Sequence, residues 1–353
     1  MKNILKVMLV VLTTAALNSI AYAGALSVSG GASARYAIMS SDSTTGKTDA
    51  DKGVGVVNEF TLSASGDVNG MAWAYALDLD PSAATGAVVY DDAKLTLETG
   101  FGTLGVFASE GSLGTKYSWD PSAYGVGSDT GDGFGMIYAG NISSYDNIQY
   151  HLPSGILPLG GTFKVAHSPN GAASFSSGGS PSANKTIYDV TQYQVTLAPI
   201  DGLKISADYM EHSGADQDVQ KAQDGNIGVK YSAGQFTVGY GRSYKSAALD
   251  STTDGYSATL DTALSGYESI QNRSLGIGFQ INDDLSVSYT QEKSEPDAMT
   301  AATATYEMEI QSIQAAYTMG GMTISVSQDQ GENADYIQNA DQKELLVAVS
   351  IAF

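Results

Sequence analysis

The sequence predicts an all-β protein, a transmembrane antiparallel β-barrel of about sixteen strands. Three observations carry this. Side chains alternate polar and apolar over runs longer than an ordinary strand, short turns alternate with long polar connections, and an export leader opens a chain that has no cysteine.

Lys2 and Lys6 precede the apolar run Val7–Leu17, and Ala21-Tyr22-Ala23 follows it. A short basic region, an apolar run and small residues before a break predict a signal peptide over 1–23, which leaves 24–353 as the barrel domain. The apolar run falls short of the roughly 20 residues that a membrane-spanning helix needs. Without Lys2 and Lys6, 15 basic side chains face 38 acidic ones, a net charge of −23. Such a surface repels nucleic acid and suits cations. With no cysteine in an exported chain, stability must come from backbone pairing and burial.

The first strand is expected in "ALSVSGGASARYAI", residues 25–38. Leu26, Val28, Gly30, Ala32, Ala34, Tyr36 and Ile38 share one face, and Ser27, Ser29, Gly31, Ser33 and Arg35 the other. Phe60, Leu62 and Ala64 alternate with Thr61, Ser63 and Ser65, and the same period returns at 72–79, 192–197, 203–209, 227–231 and 285–290. Tight-turn chemistry punctuates these strands at 66–70, 100–102, 233–235, 282–284 and 320–321. Between the turns, long polar connections are expected near 39–58, 80–89, 109–142, 168–187, 212–224, 245–269, 294–305 and 329–341. Short turns at one end and long loops at the other are the pattern of a membrane barrel.

The last strand, "ELLVAVSIAF", puts Leu345, Val347, Val349, Ile351 and Phe353 on one face. In a closed barrel this strand pairs with the first, and that face meets lipid. Inner positions show the reverse chemistry. Arg35, Lys94, Lys164, Lys204 and Lys230 fall on the polar faces of their strands, where a water-filled lumen solvates them; on the lipid face a lysine would cost about 2–4 kcal/mol near the midplane.

Sites of chemistry are scarce. His151, His167 and His212 lack partners at metal-ligand spacing, so no metal and no cofactor are expected. The loop 214–226 lacks the bidentate glutamate of a calcium loop. "GVGSDTGDGFG", 125–135, has no helix after it to make a phosphate cradle, and its glycines supply backbone freedom for a bending loop. No nucleophile stands out, so no enzyme is expected.

"AKLTLETGFGTLGVFASE", 93–110, resembles the general porins of Gram-negative outer membranes, and "SSYDNIQYHLP", 143–153, resembles the strand that follows their third loop. The resemblance implies a homotrimer in outer-membrane lipid, each barrel holding a pore for small hydrophilic solutes and ions, narrowed by a third loop folded into the lumen. It further implies that Phe353, with Ile351 and Val349, acts as a signal to the outer-membrane assembly machinery. Acidic side chains of the loop (Glu110, Asp120, Asp129 and Asp132) would oppose basic ones of the wall (Arg35 and Lys94), giving weak cation preference. Where general porins usually carry a basic residue after the fifth strand, this chain has Ala108, Ser109 and Glu110. A substrate-specific channel, or a barrel with a plugged lumen serving as adhesin or structural anchor, are the alternatives. A secreted soluble β protein would want apolar inner faces in place of Ser, Thr, Gly and Gln.

Overall fold

The computed structural model describes residues 26–43, 46–81, 88–130, 133–169, 189–213, 219–252, 255–258, 264, 266–300 and 303–353. The leader expected at 1–23 and the acid Asp132 lie outside them. The strands are β1 (Ser27–Ser43), β2 (Gly46–Val68), β3 (Met71–Pro81), β4 (Val88–Thr99), β5 (Gly102–Ala108) and β6 (Asn147–His151). Then come β7 (Thr162–Ser168), β8 (Asp189–Leu197), β9 (Leu203–Ser213), β10 (Gln223–Ala233) and β11 (Phe236–Ser246). A small hairpin, β12 (Leu249–Thr252) with β13 (Gly255–Ala258), precedes β14 (Tyr267–Gln280), β15 (Leu285–Ala298), β16 (Met308–Met319), β17 (Met322–Glu332) and β18 (Asp341–Ala352). All but β12 and β13 form one closed antiparallel barrel of sixteen strands, in which β18 pairs with β1.

Closure leaves no barrel strand with a free edge, which a sheet at membrane depth requires. At the seam Gly30 and Phe353 exchange both backbone hydrogen bonds, at 2.9 and 3.0 Å. The Phe353 ring lies 5.7 Å from that of Phe60 and is 59% exposed.

Seven connections lie at the end that carries the seam's Phe353, and most are tight. Asn69 and Gly70 both take positive φ between Val68 and Met71, the two-residue turn that matches hairpin twist, and Gly70 N–H donates to Asp67 at 2.8 Å. Gly100-Phe101, Gly234-Gln235 and Gly320-Gly321 close three others.

The opposite end departs from expectation at its first connection. Residues 39–58 are not a polar loop: pairing continues from Met39↔Asp51 to Ser43↔Gly46. The backbone of this hairpin satisfies itself strand to strand although its sequence does not alternate. Strand also runs on into the expected loops at 294–305, where β15 reaches Ala298, and at 329–341, where β17 reaches Glu332.

Cross-strand register sorts the side chains into two faces. Outward positions on β14 read Phe279, Ile277, Leu275 and then Arg273; on β16 they read Tyr317, Ala315, Ile313 and then Gln311. Three or four apolar positions per strand make the lipid-facing band, and Phe236 against Phe279, ring centroids 4.7 Å apart, marks its turn-side rim. Beyond the band the outer surface turns charged: Lys293 meets Glu309 at 2.6 Å and Glu307 at 2.9 Å. Among the described residues no helix is long and apolar enough to cross a membrane.

Candidate functional site: the inner wall and its long loop

Parity fixes the inner wall. Following the pairs from Arg35↔Ala348 around the ring puts Arg35, Lys94, Lys164, Lys204 and Lys230 on one face, together with Ser27, Ser63, Ala76, Gln192, Asp208, Asn226, Ser274, Glu292, Gln314 and Asp329. This is the face opposite the exposed apolar band.

The segment 109–146 lies against that polar face and is fastened along its length. Leu113 O accepts from Gln194 at 2.8 Å, and Thr115 donates to Asp208 from both its N–H and its hydroxyl. Ala123 N–H donates to Ser288 at 2.8 Å, Tyr124 N–H to Gln314 at 3.2 Å and Thr130 Oγ1 to Asp329 at 2.7 Å. Tyr138 donates its hydroxyl to Glu292, Gly140 N–H reaches Asp224 at 3.0 Å and Ile142 N–H reaches Gln192 at 2.8 Å. A loop has no ladder of its own, so its backbone groups need such partners wherever water is excluded. Wall amides and hydroxyls supply most of them and the carboxylates of Asp208 and Asp224 the rest, and bonds to charged acceptors are worth roughly 1.5–3 kcal/mol each.

The loop's tip is seated by shape. On β10, β11 and β14 the inner positions Gly228, Gly239, Gly241, Gly276 and Gly278 form a patch without side chains. A Cβ at any of them would collide with Ser118, Trp119 or Pro121. Trp119 is buried there and donates its indole N–H to Lys116 O at 2.8 Å. Five glycines on adjacent strands thus receive Trp119 and its neighbours Ser118 and Pro121.

Farther along, Phe134 and Met136 join an apolar cluster with Leu249, Leu264, Ile270, Met308, Ile310 and Tyr336. Tyr336, from the connection after β17, accepts from Ile137 N–H at 3.0 Å and bonds Ser294 at 2.6 Å. The loop-side part of the inner wall from β8 to β17 is therefore covered.

The wall from β1 to β4 is not. Its inner side chains are mostly small, and a recess of about 280 Å³ opens among Ser27, Ser63, Ser65, Ala74, Lys94 and Thr96.

The expected charged residues part company in this setting. Lys94 and Glu110 are in contact at 2.7 Å, at the loop's root and not across an opening. Asp129 accepts from Tyr117 at 2.8 Å and is exposed. Asp120 accepts from Ser122 N–H at 2.8 Å while its own carbonyl accepts from Lys230 at 3.2 Å. Burial raises the Asp120 carboxyl above its ordinary range, partly offset by those bonds and by the Lys230 charge. Burial likewise raises the Tyr117 phenol, which stays a proton donor at neutral pH. Arg35, exposed on β1, acts electrostatically on Tyr124 of the loop. Among the described residues no group of acids, histidines or cysteines could hold a metal.

Sequence reading missed the anchors Asp208, Asp224, Glu292 and Asp329. Their signal is an acid on the polar face of an alternating strand, as in "ADYM" and "SQDQ".

A closed sixteen-stranded barrel, greasy outside and polar within, with one long connection laid along its inner wall, is the architecture of a porin. Solved structures share it: OmpF of Salmonella typhi at TM-score 0.65 and 16% identity, covering 93% of this chain and 97% of that one. An anion-selective porin from Comamonas acidovorans gives 0.61 at 11% identity, and a mutant porin from Rh. blastica 0.58 at 14%, each covering 93% of this chain and all of the other. No protein-family profile and no curated protein matches the chain. At such identities the likeness is one of fold: this chain has the porin fold.

Proposed function

We propose that the protein is a passive channel of the Gram-negative outer membrane for small hydrophilic solutes and ions, performing no chemistry. One observation carries this reading: the loop 109–146 is locked to the inner wall of β8–β17 while the inner wall of β1–β4 stays open and lined by small polar side chains. Solute passes between that wall and the loop. Field lines concentrate in such a gap, so local charge sets preference. The loop acids Glu110, Asp120, Asp129 and, by sequence, Asp132 outnumber the wall cations Arg35 and Lys94, which supports weak cation preference. The neighbours named above include porins, and a further structure of similar fold, an outer-membrane protein of Vibrio cholerae at TM-score 0.58, was solved in a trimer form, which supports an oligomer in lipid. Residues 1–23 act as a cleaved leader, and Phe353 with Ile351 and Val349 is read by the assembly machinery.

Planar-bilayer recording in a salt gradient tests this. Stepwise conductance with a reversal potential of cation sign is expected; a purified, folded barrel that never conducts would refute it. The apolar cluster around Phe134 crowds the loop-side mouth and favours a second reading, a narrower channel selective for one solute class.

A further inference from the structure

Charges on the inner wall are sorted by height. The acids Asp208, Asp224, Glu292, Asp329 and Glu344 lie toward the long connections, while Lys164, Lys204 and Lys230 lie within a few residues of the tight-turn end of their strands. His151, the last residue of β6, lies there too.

Register brings these side chains together in pairs. Lys204 stands directly opposite Lys230, and His151 directly opposite Lys164. Residues so opposed on one face hold their Cβ atoms roughly 4.5–5.5 Å apart, and like charges there repel. Neutral side chains fill the positions between: Gln194 lies opposite Lys164, and Thr196 lies opposite both Thr162 and Ser206. From β6 to β10 no acid occupies the inner wall on the turn side of Asp208. Among the described residues Lys164 and Lys204 make no ion pair, and Lys230 donates to the backbone carbonyl of Asp120 at 3.2 Å, with the Asp120 carboxyl near enough to feel its charge. Lys94 is paired with Glu110 and Lys245 with Asp224 at 3.5 Å, and Arg35, also on the inner face, stands apart on β1.

An acidic chain thus gathers Lys164, Lys204 and Lys230, with no carboxylate in ion-pair contact among the described residues, at one end of its inner wall beside hydroxyl and amide donors. We infer that His151, Lys164, Lys204 and Lys230 form a binding site for a small polyvalent oxyanion of the phosphate type at the turn-side mouth of the lumen. Compact ammonium charges with neighbouring hydroxyl donors suit an anion that accepts from several directions at once. A bound dianion removes the repulsion within the Lys204–Lys230 pair. The location rests on the channel reading; binding itself does not.

Inorganic pyrophosphate is the probe. In bilayers carrying the full barrel inserted from one chamber, pyrophosphate on the turn side should reduce conductance at concentrations about tenfold lower than on the loop side. The K164Q/K204Q variant should lose that asymmetry, while its conductance in plain potassium chloride stays within about twofold. Heat-modifiable migration verifies that the variant is folded. Equilibrium binding to the detergent-solubilised barrel gives a second readout that needs no conduction: tenfold weaker binding in the variant is expected. A conducting parent whose block is equal from both sides, or binding unchanged in the variant, overturns the site. A barrel that binds pyrophosphate through these lysines but never conducts would overturn only the channel reading.

Discussion

Thr115 and Asp208 meet twice: the backbone N–H and the hydroxyl of Thr115 both donate to the same carboxylate oxygen, at 2.6 and 2.7 Å. The other oxygen accepts from Gln192 at 2.9 Å, and Asn226 bridges both. One buried carboxylate therefore joins the loop to three strands. Asp208→Ala should leave these donors unpaired, lower stability by about 2–4 kcal/mol and increase single-channel conductance. Asp208→Asn, which keeps an acceptor, should fall between. Denaturant midpoints together with conductance check it; a destabilised variant with parental conductance would separate the anchor from the pore.

The glycine patch beneath Trp119 predicts a steric release. Gly239→Val places side-chain atoms where the Trp119 backbone lies. The barrel should still assemble, with the tip displaced and Lys116 newly open to trypsin. Limited proteolysis of folded protein should cut the variant near Lys116 and leave the parent whole.

Lys94 and Glu110 form a contact ion pair with 40% and 22% of their side chains exposed. Solvent screening holds such a pair under about 1 kcal/mol, so its loss should be read in selectivity and not in stability. Glu110→Gln should move the reversal potential toward anions, Lys94→Gln toward cations, and the double variant should return close to the parent. Arg35→Ala, which removes an unpaired inner cation, should move it toward cations by itself. Reversal potentials in a tenfold salt gradient measure all four.

Phe353 closes the seam through its backbone while its ring leans on Phe60. Deleting Phe353 removes both Gly30 hydrogen bonds and should cut the assembled, heat-modifiable barrel in outer-membrane fractions several-fold. Phe353→Leu, which keeps the backbone pair, should retain more of it. Equal yields from the parent and the deletion would contradict the expectation.

Much of the barrel was legible because a period of two needs no partner to be seen: Leu285, Val287 and Tyr289 declare an outer face by themselves. The inner parity of Arg35, Lys94, Lys164, Lys204 and Lys230 followed from the same signal. The hairpin over 39–58 was misread because "KTDADKGV" has no face to bury, and pairing there is driven by the backbone alone. Loop anchors were illegible for another reason. Polar parity announces that Asp208 or Asp329 points inward, but which donor meets it depends on a fold that brings Thr115 across 93 residues and Thr130 across 199. The Lys94–Glu110 contact shows the same limit: both charges were visible, their distance was not.

Nearly every partner of the loop 109–146 lies later in the chain than the loop itself, on strands up to β17. Loop-closure entropy must be met before such distant contacts form, which makes them late events in folding. The segment is thus made early and seated late. Until β10, β11 and β14 arrive Trp119 has no glycine floor, and until β15 and β17 arrive Tyr138 and Thr130 of the loop lack Glu292 and Asp329. Seating of the loop is then the last check on a finished ring, and a barrel closed in the wrong register would betray itself by a tryptophan left in water, readable as a slow change in indole fluorescence after the strands have paired.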